Sequence, residues 1–248
     1  MFQRRLLTLT SLILVTILAI ALLPLVVITT LLMSLSSRFR TAPQALTFIY
    51  GFLVHEWSGL ARFLFVSVRY RKGEHLDRNR SIQFWWAQQL FDMGKRLYKL
   101  RIEVTGTEAL EGNCALLLSR HSSMGDTVLP LLFFGKARAE GLRYVLKQEL
   151  RYLPCLDIGG HRLPNVFVDR SGTDSAKAVK EVSNLIATAG EDESVLIYPE
   201  GTRFTQKKHD DLRRKHSQLE DQLNRWPNLL PLRLGGVLGM LKANPGKD

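Results

Sequence analysis

The sequence predicts an α/β domain, a sheet covered by helices, preceded by a transmembrane helix and an amphipathic helix. Three observations carry that prediction. Residues 6–35 form an uncharged, mostly apolar run of 30 residues. Between residues 44 and 68, Leu46, Ile49, Leu53, Trp57, Leu60 and Leu64 recur at helical spacing. From about residue 81 onward, short β-rich apolar runs alternate with helical stretches, the pattern of a sheet with helices on at least one face.

Composition narrows the function classes. Of 248 residues, 46% are apolar and 23% charged, which excludes disorder, and two cysteines exclude a disulfide-stapled scaffold. The net charge of +11 asks for an anionic partner. Residues 1–110 carry 14 basic and 6 acidic side chains, whereas residues 111–248 carry 20 and 17. The excess therefore sits beside the apolar run and reads as charge next to a membrane. Nucleic acid is not an expected partner, because the basic residues do not interleave with exposed aromatics.

As a helix, residues 6–35 reach about 45 Å against a hydrocarbon core of about 30 Å. A single crossing is expected; a hairpin broken at Pro24 and a cleaved signal peptide are the alternatives. Arg4 and Arg5 before the run and Arg38 and Arg40 after it leave orientation nearly undecided. His55, Glu56 and Arg62 interrupt the second stripe, so that segment reads as a helix lying in the interface or packed on the domain. Arg69, Arg71, Lys72, Arg78 and Arg80 follow as a headgroup-attracting cluster.

Beyond it, Trp86, Leu90, Met93 and Leu97 mark a helix. Strands are expected at 100–104, 115–119, 142–146, 166–168, 194–198 and 229–232, and helices at 126–136, 174–189 and 211–224. Cys114 and Cys155 lie in apolar surroundings and read as core.

The residues suited to chemistry stand at strand ends. His121 follows an apolar strand, with Asp126 five positions on and Gly125 between them. A turn there brings a carboxylate to an imidazole, the arrangement of a general base. No serine stands in a nucleophile elbow, so the natural use of the pair is to activate a substrate hydroxyl. No metal-ligand spacing is present. In the run from Ser194 to Phe204, Pro199 ends a strand, Gly201 permits close backbone approach, and Thr202 and Arg203 offer a hydroxyl and a donor fork suited to phosphate. Glu200 can hold that loop, and Arg170 at the exit of another strand is a second cationic arm.

Together these residues resemble the glycerolipid acyltransferase family, closest to the 1-acyl-glycerol-3-phosphate acyltransferases. His121 through Asp126 matches its first signature, Val166–Arg170 with Phe167 its second, Glu200-Gly201-Thr202-Arg203 its third, and 229–236 with Pro231, Gly235 and Gly236 its fourth. The similarity spans about residues 85–240. Arg120 and Asp157 depart from the family pattern, and only twelve residues follow Gly236, so a C-terminally truncated domain is expected.

The resemblance implies a mixed sheet covered by helices and direct acyl transfer. His121 and Asp126 would be catalytic. Arg170, Glu200, Gly201, Thr202 and Arg203 would bind substrate, with Phe167, Pro231, Gly235 and Gly236 in support. Acyl-CoA or an acyl carrier protein is the implied donor, a lysophospholipid the acceptor, phosphatidic acid the product, and no cofactor is implied. Another lysophospholipid, a non-phosphate acceptor, or anionic-lipid binding without turnover are the alternatives. The expected organisation is an anchor at 1–36, an interfacial helix and basic linker at 37–80, and an acyltransferase domain at 81–248. The protein would be an integral, single-pass membrane protein with its catalytic domain facing the cytoplasm.

Overall fold

The computed structural model describes residues 1–106, 108, 116–123, 125–135, 141–169 and 175–246. It divides into two compact units, Met1–Thr105 with Glu149–Arg162, and Gly106–Gln148 with Leu163–Asp248.

The first unit is helical: α1 (Phe2–Ser34), α2 (Ala42–Arg69), α3 (His75–Tyr98) and α4 (Pro154–Arg162). Helix α1 runs unbroken through Pro24. Among the described residues it is the one helix long and apolar enough to cross a membrane. Helix α2 folds back along it, with Tyr50 Oη donating to the Ala19 carbonyl at 2.7 Å and Trp57 Nε1 to Thr16 Oγ1 at 2.9 Å. Its second face takes α3, where Phe52 meets Trp86 edge-on and His55 meets Trp85. Residues 81–98, expected with the catalytic domain, thus belong to this helical unit.

Helix α4 closes the open end of the α1–α2 hairpin. Glu56, on α2 and buried, accepts from the Cys155 amide at 3.1 Å. Arg162 donates to the Phe63 carbonyl and to Ser67 Oγ, both at 2.6 Å. Gly159 lets α4 approach, since a Cβ there would lie 2.8 Å from the Phe63 ring. Asp157, fully buried, receives Arg4 Nη2 at 2.5 Å and Arg5 Nε at 2.8 Å, with His161 Nδ1 3.2 Å away. A lone crossing would set the two ends of α1 on opposite sides of a bilayer. Here the N-terminal end of α1 and the C-terminal half of α2 both meet α4.

Removing Asp157 strands two guanidinium groups that are largely withdrawn from water. Asp157→Ala is expected to destabilise the protein by about 3 kcal/mol. Its thermal midpoint in detergent should lie roughly 5–10 °C below wild type. Unchanged melting would show that the ion pairs contribute nothing net.

The second unit holds a four-stranded sheet of β1 (Leu116–Leu118), β2 (Gly141–Lys147), β3 (Val166–Val168) and β4 (Glu193–Ile197), in the order β1-β4-β2-β3. Every described pairing is parallel, with Leu117 opposite Leu196, Tyr144 opposite Leu196, and Leu146 opposite Phe167. This corrects the expectation of a mixed sheet. Parallel strands need crossovers, and α5 (Ser175–Ala187) supplies the one from β3 to β4. Side chains alternate across the sheet. Val145, Val195 and Ile197 join Val182, Ile186, Val237 and Met240 in the core beneath α5 and α8 (Leu234–Ala243).

Gly235, Gly236 and Gly239 let α8 lie close. A Cβ on Gly236 would stand 3.3 Å from Ile197 Cδ1, and one on Gly239 2.5 Å from Ser183 Oγ. Gly235 and Gly236 therefore serve packing, as does Pro231, which lines an apolar cavity with Leu223, Trp226 and Leu230. At one end of β2, Arg143 pairs with Glu193 and donates to Thr188 Oγ1 at 2.9 Å and to the Leu185 carbonyl at 3.1 Å.

Two expected strands are absent. Residues 100–104 and 229–232 are short runs with apolar residues, but neither has a ladder partner among the described residues. The expected helix at 211–224 is divided between α6 (Gln206–Lys215) and α7 (Glu220–Arg225). Of the helix expected at 126–136, the described residues give a short 3₁₀ turn at Gly125–Thr127 and a wider helical turn at Leu131–Gly135, and residue 136 lies outside them.

Candidate active site

The first strand delivers His121. After β1 the chain stays on β4 for one more bond, Ser119 N–H to the Ile197 carbonyl at 3.0 Å, and then turns. The backbone of His121 is held on both sides. Its N–H donates to Glu200 Oε1 at 3.1 Å, and its carbonyl accepts from the Phe204 N–H at 2.7 Å. The ring lies against Tyr198, centroids 4.7 Å apart, and Tyr198 Oη donates to the Asp126 carbonyl at 2.7 Å.

Asp126 is brought back by the turn through Gly125. Its Oδ2 stands 3.6 Å from His121 Nδ1, with the two side chains 17% and 15% exposed. The same oxygen accepts from the amides of Ser122 at 2.5 Å and Ser123 at 2.6 Å, while Oδ1 accepts from Ser123 Oγ at 2.6 Å. Burial pushes the Asp126 carboxyl up, but the hydrogen bonds from Ser123 and Ser122 outweigh it and hold the group below its ordinary 3.8. Burial, with the Asp126 charge adding to it, raises the Tyr198 phenol well above its ordinary value, so it remains a donor. The pair is a carboxylate fixed in its charged form beside an imidazole, an arrangement able to support an imidazolium were His121 to take a proton.

Glu200 is 3% exposed and spends both oxygens inside the protein. Oε1 holds His121 and Oε2 accepts from the Leu230 N–H at 2.9 Å. One carboxylate thus joins the loop after β1, the turn after β4 and the segment before α8. Gly201, at φ +69°, makes that turn, and a Cβ there would lie 2.8 Å from Arg233 Cδ. Thr202 Oγ1 accepts from Lys208 Nζ at 2.8 Å, as does the Arg203 carbonyl at the same distance. The Arg203 side chain is exposed. Phe167 sits in β3, paired with Leu146. Arg170 and Cys114 lie outside the described residues.

Sequence reasoning named the acid, the base and the tetrapeptide but missed Tyr198, Ser122, Ser123, Lys208 and Arg233 as their supports. The two serines had a signal, since short hydroxyl residues between His121 and Asp126 are those that bond a nearby carboxylate. Lys208 and Arg233 had none, because each reaches the turn only through the tertiary fold.

Residues 101–222 match the family model described as Acyltransferase, a span that contains His121, Asp126 and the Glu200–Arg203 turn. Comparison with curated proteins and with solved structures gives no match. The sheet, the His121–Asp126 pair and the turn that carries Arg203 all fall in this span, and residues 101–222 are an acyltransferase domain of the family of the glycerolipid acyltransferases.

Proposed function

We propose that the protein moves a fatty acyl group from an acyl thioester, acyl-CoA or acyl carrier protein, to the sn-2 hydroxyl of 1-acyl-glycerol-3-phosphate, giving phosphatidic acid. The observation that carries this reading is the His121–Asp126 pair tied through Glu200 to a turn that presents Thr202 and Arg203. With Nδ1 turned to Asp126, Nε2 of His121 takes the hydroxyl proton. The alkoxide-like oxygen attacks the thioester carbonyl, the tetrahedral intermediate collapses, and the departing thiolate receives the proton from the imidazolium. Arg203 and Arg170 bind the acceptor phosphate as charge-assisted donors.

In this reading α1 holds the domain at the bilayer where both substrates reside. Because Arg4 and Arg5 are bound to α4, α1 enters the membrane as one arm of the α1–α2 hairpin, with its N-terminal end on the side of α4. That side is the cytoplasm, where acyl thioesters are made. Tags at the N-terminus and after residue 162, both protease-sensitive from the same side of sealed vesicles, are the expected result; opposite sensitivity refutes the hairpin.

The activity test is transfer of labelled acyl-CoA to a lysolipid panel by the purified full chain in mixed micelles. Lysophosphatidate is expected to be acylated at its 2-hydroxyl. Transfer to other lysolipids while lysophosphatidate is refused would overturn the acceptor assignment.

A further inference from the structure

Four cations stand around the turn after β4, and none is paired with a carboxylate among the described residues. Lys208 Nζ has three N–H groups, of which two go to neutral oxygens, Thr202 Oγ1 and the Arg203 carbonyl. Its position is set from the other end as well, because its backbone N–H donates to Thr205 Oγ1 at 3.2 Å where Thr205 caps α6. Arg233 is anchored by its backbone N–H on the Pro199 carbonyl at 2.8 Å, and its side-chain stem crosses Gly201, with Nε 3.0 Å from where a Cβ would stand. Arg203 is exposed on the turn itself, and Arg120 lies over the Phe204 ring at 5.3 Å. Elsewhere in the same unit the pattern differs, with Arg143 on Glu193 and Arg214 on Asp211. Charge left unneutralised in one place calls for an anion of more than one charge.

We infer that Lys208 and Arg233 are specificity-determining residues that make this turn prefer an acceptor ending in a phosphomonoester over the same lysolipid as a phosphodiester. The inference rests on the lysolipid reading above and adds two residues that lie outside the Glu200–Arg203 tetrapeptide. A phosphomonoester carries about 1.5–2 negative charges near neutral pH, with its second ionisation near pH 6. A phosphodiester carries one charge, and its second substituent occupies an oxygen that would otherwise accept. Arg203 answers the first charge; the third N–H of Lys208 and the guanidinium of Arg233 answer the second.

The test compares lysophosphatidate with lysophosphatidylglycerol as acceptors for the purified full chain in mixed micelles. Wild type is expected to prefer lysophosphatidate, and the preference should rise with pH through about 6 as the monoester gains its second charge. Lys208→Met and Arg233→Met should each lower kcat/KM for lysophosphatidate about 10-fold or more while changing it for lysophosphatidylglycerol less than about 3-fold. The pH step in the ratio should flatten in both variants, and Lys208→Arg should retain most of it. A fall of equal size for both acceptors, or an unchanged ratio, overturns the inference, because a scaffold role moves both acceptors together. If Lys208→Met melts early, Arg233→Met decides, since its side chain is exposed and methionine keeps the stem over Gly201. Wild-type protein that acylates neither lysolipid overturns the reading of the function; acylation with unaltered ratios in the variants overturns this inference alone.

Discussion

His121→Ala is expected to abolish acyl transfer, by about 10³-fold or more, in protein that still melts and partitions as wild type. In the proposed mechanism the imidazole takes the hydroxyl proton, so its loss would leave binding and polarisation only. Asp126→Asn should cost less, about 10²-fold, because His121 remains while the charge opposite its Nδ1 disappears. The variant also turns an amide nitrogen toward the donors of Ser122 and Ser123. The depressed pKa of Asp126 fixes how the pH profile behaves. A carboxylate whose folded pKa lies below its unfolded value contributes stability above that unfolded value and loses it as pH falls through the folded one. Its window therefore lies below 3.8, and Asp126 stays ionised throughout the assay range. A titration limb near neutrality that vanishes in Asp126→Asn would contradict this, as would substantial turnover by His121→Ala.

The second large effect is expected at Glu200. Glu200→Ala leaves the amides of His121 and Leu230 without their acceptor, a cost of about 2–5 kcal/mol for two withdrawn donors. Transfer should fall about 10²-fold or more even in the fraction that stays folded, since small displacements of a reacting group have effects of that size. Glu200→Gln keeps the shape and one acceptor oxygen but sets an NH₂ against an N–H, so it should fall between wild type and alanine in both melting and turnover. If Glu200→Ala melted normally and lost only affinity for the acceptor, the residue would be touching substrate instead of joining the three segments.

The parts of this site legible in the sequence are the local ones. His121 and Asp126 are five residues apart, and Glu200 to Arg203 is contiguous, so pattern and chemistry coincide there. Glu200 reads from the residues as the holder of its loop and from the resemblance as a binding residue, but neither shows that its two donors come from positions 79 residues before and 30 residues after it. The sheet shows the same divide. Strand composition at 142–146 and 194–198 is visible, but the placing of β4 between β1 and β2 depends on distant pairings. Residues 229–232 look like a strand because they form a short apolar run that Pro231 keeps from being a helix interior, yet among the described residues their backbone serves Glu200 and no ladder. Helix α4 has no apolar stripe of helical period and contains two adjacent glycines. It is held as a helix from outside, by Arg4 and Arg5 on Asp157 and by Glu56 on the Cys155 amide.

The reach of Glu200 also has a meaning in time. A ribosome makes His121 first, the Glu200 turn later, and Leu230 later still. Until residues near 230 have emerged, one oxygen of Glu200 has no donor and the loop that carries the base is tied to a turn that is itself unanchored. A half-made chain already has its long apolar helix and His121 but not the backbone donor that completes the hold on Glu200. The candidate site is assembled only when a late-made stretch of backbone docks, so the order of synthesis is also the order in which its parts are joined.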